Sequence, residues 1–145
     1  MGLMGAAADA VLEAGGKVTG VIPRQLEEME IAHRGLTELI PVETMHERKA
    51  RMADLSDAIV ALPGAYGTLD ELFDIVTWRQ LRLHAKPIVL INLGGYYDGL
   101  LAFLDHTVAE GFLRPANRKL ILSAGGVEEA LDLVRRELAP TDDFR

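Results

Sequence analysis

Short apolar runs alternate with stretches of helical periodicity along most of this chain, and the alternation predicts its elements. Residues 2–14 are alanine-rich, with Leu3, Ala7, Ala10, Val11 and Ala14 at helical spacing before the helix stop Gly15-Gly16. Residues 17–22 read as a strand closed by Pro23, a less regular segment follows, and residues 36–42 form a second strand. Thr44-Met45-His46-Glu47 has capping-box spacing and opens a helix that reaches about Leu55. Residues 57–62 have the length and apolar composition of a fully buried parallel strand, and residues 68–84 carry Leu69, Leu72, Phe73, Val76 and Leu83 on one helical face. A fourth strand over residues 87–92 turns at Gly94-Gly95 into a helix over residues 97–110. Residues 120–122 make a short edge strand and residues 127–138 a closing helix. This order predicts an α/β fold, a doubly wound parallel sheet of Rossmann type with helices on both faces. At 145 residues it is expected to be one domain.

In such sheets ligands sit outside the carboxyl ends of the strands, so the loops after them gather the candidate chemistry. Pro63-Gly64-Ala65-Tyr66-Gly67-Thr68-Leu69-Asp70-Glu71 runs from strand to helix start in nine residues. Its glycines let a ligand approach the main chain, and with Thr68 as N-cap the free amides and helix dipole favour an anion such as phosphate. Thr68-x-x-Glu71 is equally a capping box that does no more than satisfy a helix start. At about 100° per residue, Met45 and Met52 centre the apolar stripe of the helix opened by Thr44, flanked by Ala53 and Leu55. Arg48 and Lys49 straddle that stripe, although His46, Glu47, Ala50, Arg51 and Asp54 mark an available polar face. Either both cations snorkel past the core, or one pairs with a carboxylate such as Glu71, or they meet an anionic ligand in the crevice shared with the Gly64–Thr68 loop. Glu71 shares a stripe with Ile75 and Trp78, where a helix dipole favours an ionised carboxylate suited to a cationic transition state or to orienting water. Tyr96 and Tyr97 either line a pocket or pack a turn, and Trp78, Arg79, Leu81 and Arg82 suit a dimer contact or, for Trp78, the core.

Charge narrows the partners. A net charge of -7 argues against a nucleic-acid surface while leaving room for a small anion at a local cluster of cations. With no cysteine, disulfides, thiolate metal sites and cysteine nucleophiles are excluded, which fits a cytoplasmic setting. His33, His46, His84 and His106 have no ligand-like spacing, so no metal is expected. No apolar run approaches the roughly 20 residues of a membrane span, and Asp9 and Glu13 make the start unlike a signal peptide.

Met45-His46-Glu47-Arg48-Lys49 followed by the Pro63 to Glu71 stretch resembles the LONELY GUY family, cytokinin riboside 5'-monophosphate phosphoribohydrolases often labelled lysine decarboxylase-like. Gly2-Leu3-Met4-Gly5, Gly20-Val21-Ile22-Pro23, Leu36-Thr37-Glu38-Leu39, Thr77-Trp78 and Gly95-Tyr96-Tyr97 resemble further landmarks of that family. The resemblance implies hydrolysis of the N-glycosidic bond of an adenine-type nucleoside 5'-monophosphate to free base and ribose 5-phosphate. It implies Arg48 and Glu71 as the catalytic pair, with substrate contacts at Glu30, Arg48, Lys49, Gly64, Ala65, Tyr66, Gly67, Thr68, Leu69, Asp70, Glu71 and Thr77. It also implies a homodimer, no redox cofactor and no pyridoxal phosphate. The family loop usually has glycine where this chain has Ala65, and members carry a further βα unit ahead of Gly2, so the resemblance implies an N-terminally incomplete domain. The alternatives from other classes are a non-catalytic nucleotide-binding or carrier module using the same crevice, and a structural dimer without a ligand.

Overall fold

The alanine-rich start forms α1 (Leu3–Glu13), and the glycine pair stops it by hydrogen bonding. Gly15 turns to φ 83, its amide donates to Leu12 O at 3.0 Å, and the amide of Gly16 donates to Val11 O at 2.9 Å. These are the two bonds of a Schellman motif, whose left-handed residue glycine adopts without steric cost. The computed structural model describes residues 2–27 and 35–139, and its packing divides the chain into two compact units, Met1–Ser56 and Asp57–Arg145.

In the first unit, β1 (Thr19–Pro23) leads through the one-turn α2 (Arg24–Glu27) toward β2 (Glu38–Val42) and α3 (Met45–Leu55). The two strands pair in parallel, from Thr19 opposite Glu38 to Pro23 opposite Val42, and both short flanking helices pack on them. Each strand starts two residues later than its apolar run suggested. Before the ladder begins, the Val18 amide donates to the side chain of Thr37 at 2.9 Å, so a side-chain oxygen takes the place of a backbone acceptor. The start of α3 is capped by Thr44 Oγ1, which accepts from the Glu47 amide at 3.1 Å. Glu47 in turn accepts from the Glu43 amide at 2.9 Å, one residue short of the reciprocal bond that a capping box would make.

In the second unit the order is β3 (Ile59–Ala61), α4 (Tyr66–Gln80), β4 (Ile88–Ile91), a 3-10 turn at Leu93–Gly95, α5 (Asp98–Ala109), α6 (Pro115–Arg118), β5 (Ile121–Ala124) and α7 (Val127–Leu138). The strands run parallel in the order β3-β4-β5, with Ile59 opposite Ile88 and Ile88 opposite Ile121. All four residues of β4 are buried, Ile88, Val89 and Leu90 completely. Successive side chains of a strand point to opposite faces, so both faces of this sheet are covered. On one of them Val89, Ile91, Ala124 and Ala130 form a cluster backed by Leu62, Leu122, Leu133 and Val134, which docks α7 onto β4 and β5.

The α/β class and the parallel pairing agree with the sequence reading, but the described strands form a pair in one unit and a triplet in the other. The longest expected helix ends at Gln80, because Arg82 takes φ 62 and leaves Leu83, expected on the apolar face, 71% exposed. The segment ahead of β5 contains α6, which starts with proline in the first turn, where its missing N–H costs nothing. Among the described residues no helix is long and apolar enough to cross a membrane.

Candidate active site

The loop leaving β3 becomes helical sooner than expected. Ala65 is the N-cap of α4, without a side-chain cap, and the first helical turn begins at Tyr66, so Thr68 lies inside the helix and does not cap it. The first bond of the helix runs from the Leu69 amide to Ala65 O at 3.0 Å, which leaves the amides of Tyr66, Gly67 and Thr68 with no acceptor inside the helix. Such amides at the positive end of the dipole form an anion-favouring surface. Thr68 serves the loop in another way: its side chain lies against Gly64, where an added Cβ would fall on Oγ1 and 2.8 Å from the threonine Cβ. Only glycine lets the chain pass there. Ala65, Tyr66, Gly67 and Asp70 are exposed, and Thr68, Leu69 and Glu71 are half-buried.

Two tyrosines tie this loop to the turn after β4. Tyr96 Oη donates to Gly64 O at 2.7 Å, and Tyr97 Oη donates to Leu62 O at 2.5 Å, so the carbonyls on both sides of Pro63 are held. The two rings meet edge to face, 4.9 Å between centroids and 81° between planes. Gly94 and Gly95, at φ 60 and 75, make the turn that delivers them. Asn92 braces it by accepting from the Tyr97 amide at 2.6 Å and donating to Asp98 at 2.7 Å. Burial pushes the phenol of Tyr97 above its ordinary value of 10.0, with Gly64's backbone opposing and the neighbouring Tyr96 adding to the rise. The sequence singled out both tyrosines as lining or turn packing. Their hydroxyl anchoring of the glycine loop was missed, although Gly-Gly-Tyr-Tyr directly after a buried strand was the available signal.

In the first unit α3 places Arg48 and Lys49 on its less exposed side together with Met52 and Ala53, while His46, Glu47, Arg51 and Asp54 are exposed as expected. Ala50 is half-buried, and Met45 and Leu55, assigned to the apolar stripe, are 41% and 52% exposed. Arg48 Nε is shut off from solvent and has no hydrogen-bond partner among the described residues. A buried donor left unpaired is costly, and a group held that way is a place for an acceptor to bind.

Arg48 and Lys49 belong to the first unit, and the loop through Glu71 belongs to the second. Thr77 is exposed near the end of α4, and Glu30 falls outside the described residues. No group of histidine and carboxylate side chains among the described residues is placed to hold a metal ion. His84 is structural. It accepts from the Lys86 amide at Nδ1 (3.0 Å), so its other nitrogen carries the proton and donates to Ile75 O at 2.9 Å.

Residues 4–134 match the family described as "Possible lysine decarboxylase". A cytokinin riboside 5'-monophosphate phosphoribohydrolase of Arabidopsis thaliana is 44% identical over 144 residues, covering 99% of this chain and 68% of the relative. Another, from Rhodococcoides fascians, is 48% identical over 136 residues, covering 93% of this chain and 69% of the relative. A second Arabidopsis thaliana relative of the same name is 50% identical over 129 residues, 89% of this chain and 57% of its own length. Identity at this level across the whole run of elements shows common descent, and the chain belongs to the LONELY GUY family of cytokinin riboside 5'-monophosphate phosphoribohydrolases.

Proposed function

We propose that this protein hydrolyses the N-glycosidic bond of a cytokinin riboside 5'-monophosphate, or of AMP, to free base and ribose 5-phosphate. The names of its relatives support the reaction. Within this chain the observation that carries the site is the buried Nε of Arg48, a cationic donor with no hydrogen-bond partner among the described residues. In the reaction the oxygen of water bonds to the anomeric carbon, and the bond to nitrogen breaks with its electron pair going to the base, which takes up a proton. The sugar passes through a cationic, oxocarbenium-like state. Glu71 is the carboxylate that stabilises that charge or orients the water, and Arg48 orients the substrate and the transition state. Lys49, Thr68 and the free amides of Tyr66, Gly67 and Thr68 hold the 5'-phosphate. Leu69, Asp70, Thr77 and Glu30 are further substrate contacts, and Gly64 and Ala65 shape the loop. No cofactor is part of this reading.

We further propose that residues 1–145 belong to a single domain and that the protein acts as a homodimer in the cytoplasm. Large exposed apolar side chains, among them Phe103 at 60% and Phe112 at 89%, support self-association, which light scattering on the purified protein measures. For the activity, the protein is incubated with isopentenyladenosine 5'-monophosphate and with AMP, and free base is quantified by chromatography. Base release that is lost in Glu71→Gln is expected. A folded protein that binds nucleotide and releases no base from either would be a binding module instead.

A further inference from the structure

The other end of α4 carries a feature that the hydrolase reading does not use. The residues that end this helix and the segment around α6 line an open hollow of 510 Å³, within the range of small-molecule sites. Arg79, Arg82, Gln80 and Asn117 line it with the flat ring of His84, small and apolar side chains complete the wall, and no carboxylate is among the lining residues. In a chain of net charge -7 that is an unusual composition. Neither guanidinium enters a hydrogen bond or ion pair among the described residues. Arg79 lies in the last turn, where a cation also complements the helix dipole, but Arg82 lies beyond it. Arg82 is the left-handed residue of a Schellman motif, its amide donating to Arg79 O at 2.9 Å and the Leu83 amide to Trp78 O at 2.9 Å. Glycine fills that position without strain, so an arginine there keeps an unfavourable backbone in exchange for a guanidinium at the hollow.

The structure assigns this hollow as a binding site for a small phosphate-bearing metabolite, separate from the glycine loop. Two guanidinium forks match the nearly double charge and the several acceptor oxygens of a phosphate monoester. The amides of Gln80 and Asn117 supply neutral donors and acceptors for the rest of the ligand. His84, with both ring nitrogens engaged, contributes a flat face. The 15 residues of α4 place this end about 22 Å from the free amides at its start, too far for one small ligand to touch both.

The test is a titration of the 145-residue protein with inorganic phosphate at constant ionic strength, followed by NMR at the arginine Nε–H and Asn117 side-chain amide signals. Saturable shifts at Arg79, Arg82 and Asn117 are expected. Arg82→Gly removes the guanidinium and the strain together, so phosphate affinity at these signals falls about tenfold or more while Tm rises. Arg79→Gln weakens the same signals with no rise in Tm. Arg82→Asn, which also tolerates the left-handed backbone, repeats the measurement should the glycine variant not fold. Shifts that never saturate, or equal affinity in the arginine variants and the wild type, overturn the assignment.

Discussion

Gly64 has no room for a side chain, because the space a Cβ would need is taken by Thr68. Gly64→Ala is therefore expected to lower stability by about 1–3 kcal/mol, measured by denaturant unfolding, and to raise KM by displacing the loop. Gly67, with nothing within 4 Å of where a Cβ would sit, has room to spare, so Gly67→Ala changes stability far less, and the contrast isolates the Thr68 contact. Thr44 is a true N-cap, and Thr44→Ala is expected to cost about 1 kcal/mol in the same measurement. These cases show what is readable at the residue scale. The Thr44 cap is legible, since cap and donor sit three residues apart. Thr68, at the same spacing from Glu71, is not an N-cap, because the helix starts earlier, with Ala65 as its N-cap.

At the scale of elements, the tyrosine anchors join the β4–α5 turn to the β3–α4 loop. Tyr97→Phe leaves the carbonyl of Leu62 without its donor and is expected to cost about 1–3 kcal/mol. Tyr96 is 55% exposed, so Tyr96→Phe should barely change Tm while raising KM for the nucleotide through a looser loop. The raised phenol of Tyr97 adds a pH dependence. Above the ordinary value of 10.0 the unfolded chain loses this proton while the folded chain still holds it. Stability that is whole below that pH therefore declines as pH rises through the folded value, and Tyr97→Phe removes that part of the alkaline slope. The elements themselves were legible, because run length and periodicity are local properties. The anchors were not, since they link positions 32 and 35 residues apart.

For the whole molecule, the proposed catalytic pair makes the decisive prediction. Arg48→Ala and Glu71→Gln are each expected to lower kcat roughly a hundredfold or more, and the double variant to lose little beyond the worse single one, as groups acting as a unit do. Losses that simply multiply would separate their roles. From sequence alone came the α/β class, the parallel strands, the placing of Arg48 and Lys49 on the less exposed side of α3, and the family. Each of these follows from spacing and residue type over short windows. Only tertiary packing decided that Arg48 Nε is buried with no partner among the described residues, that Gly64 yields its space to Thr68, that two hydroxyls hold the loop carbonyls, and that Arg82 takes a glycine's conformation beside a hollow. All four depend on atoms brought together from distant positions or on backbone angles set by neighbours in space, which a pattern of hydrophobic and polar letters does not carry.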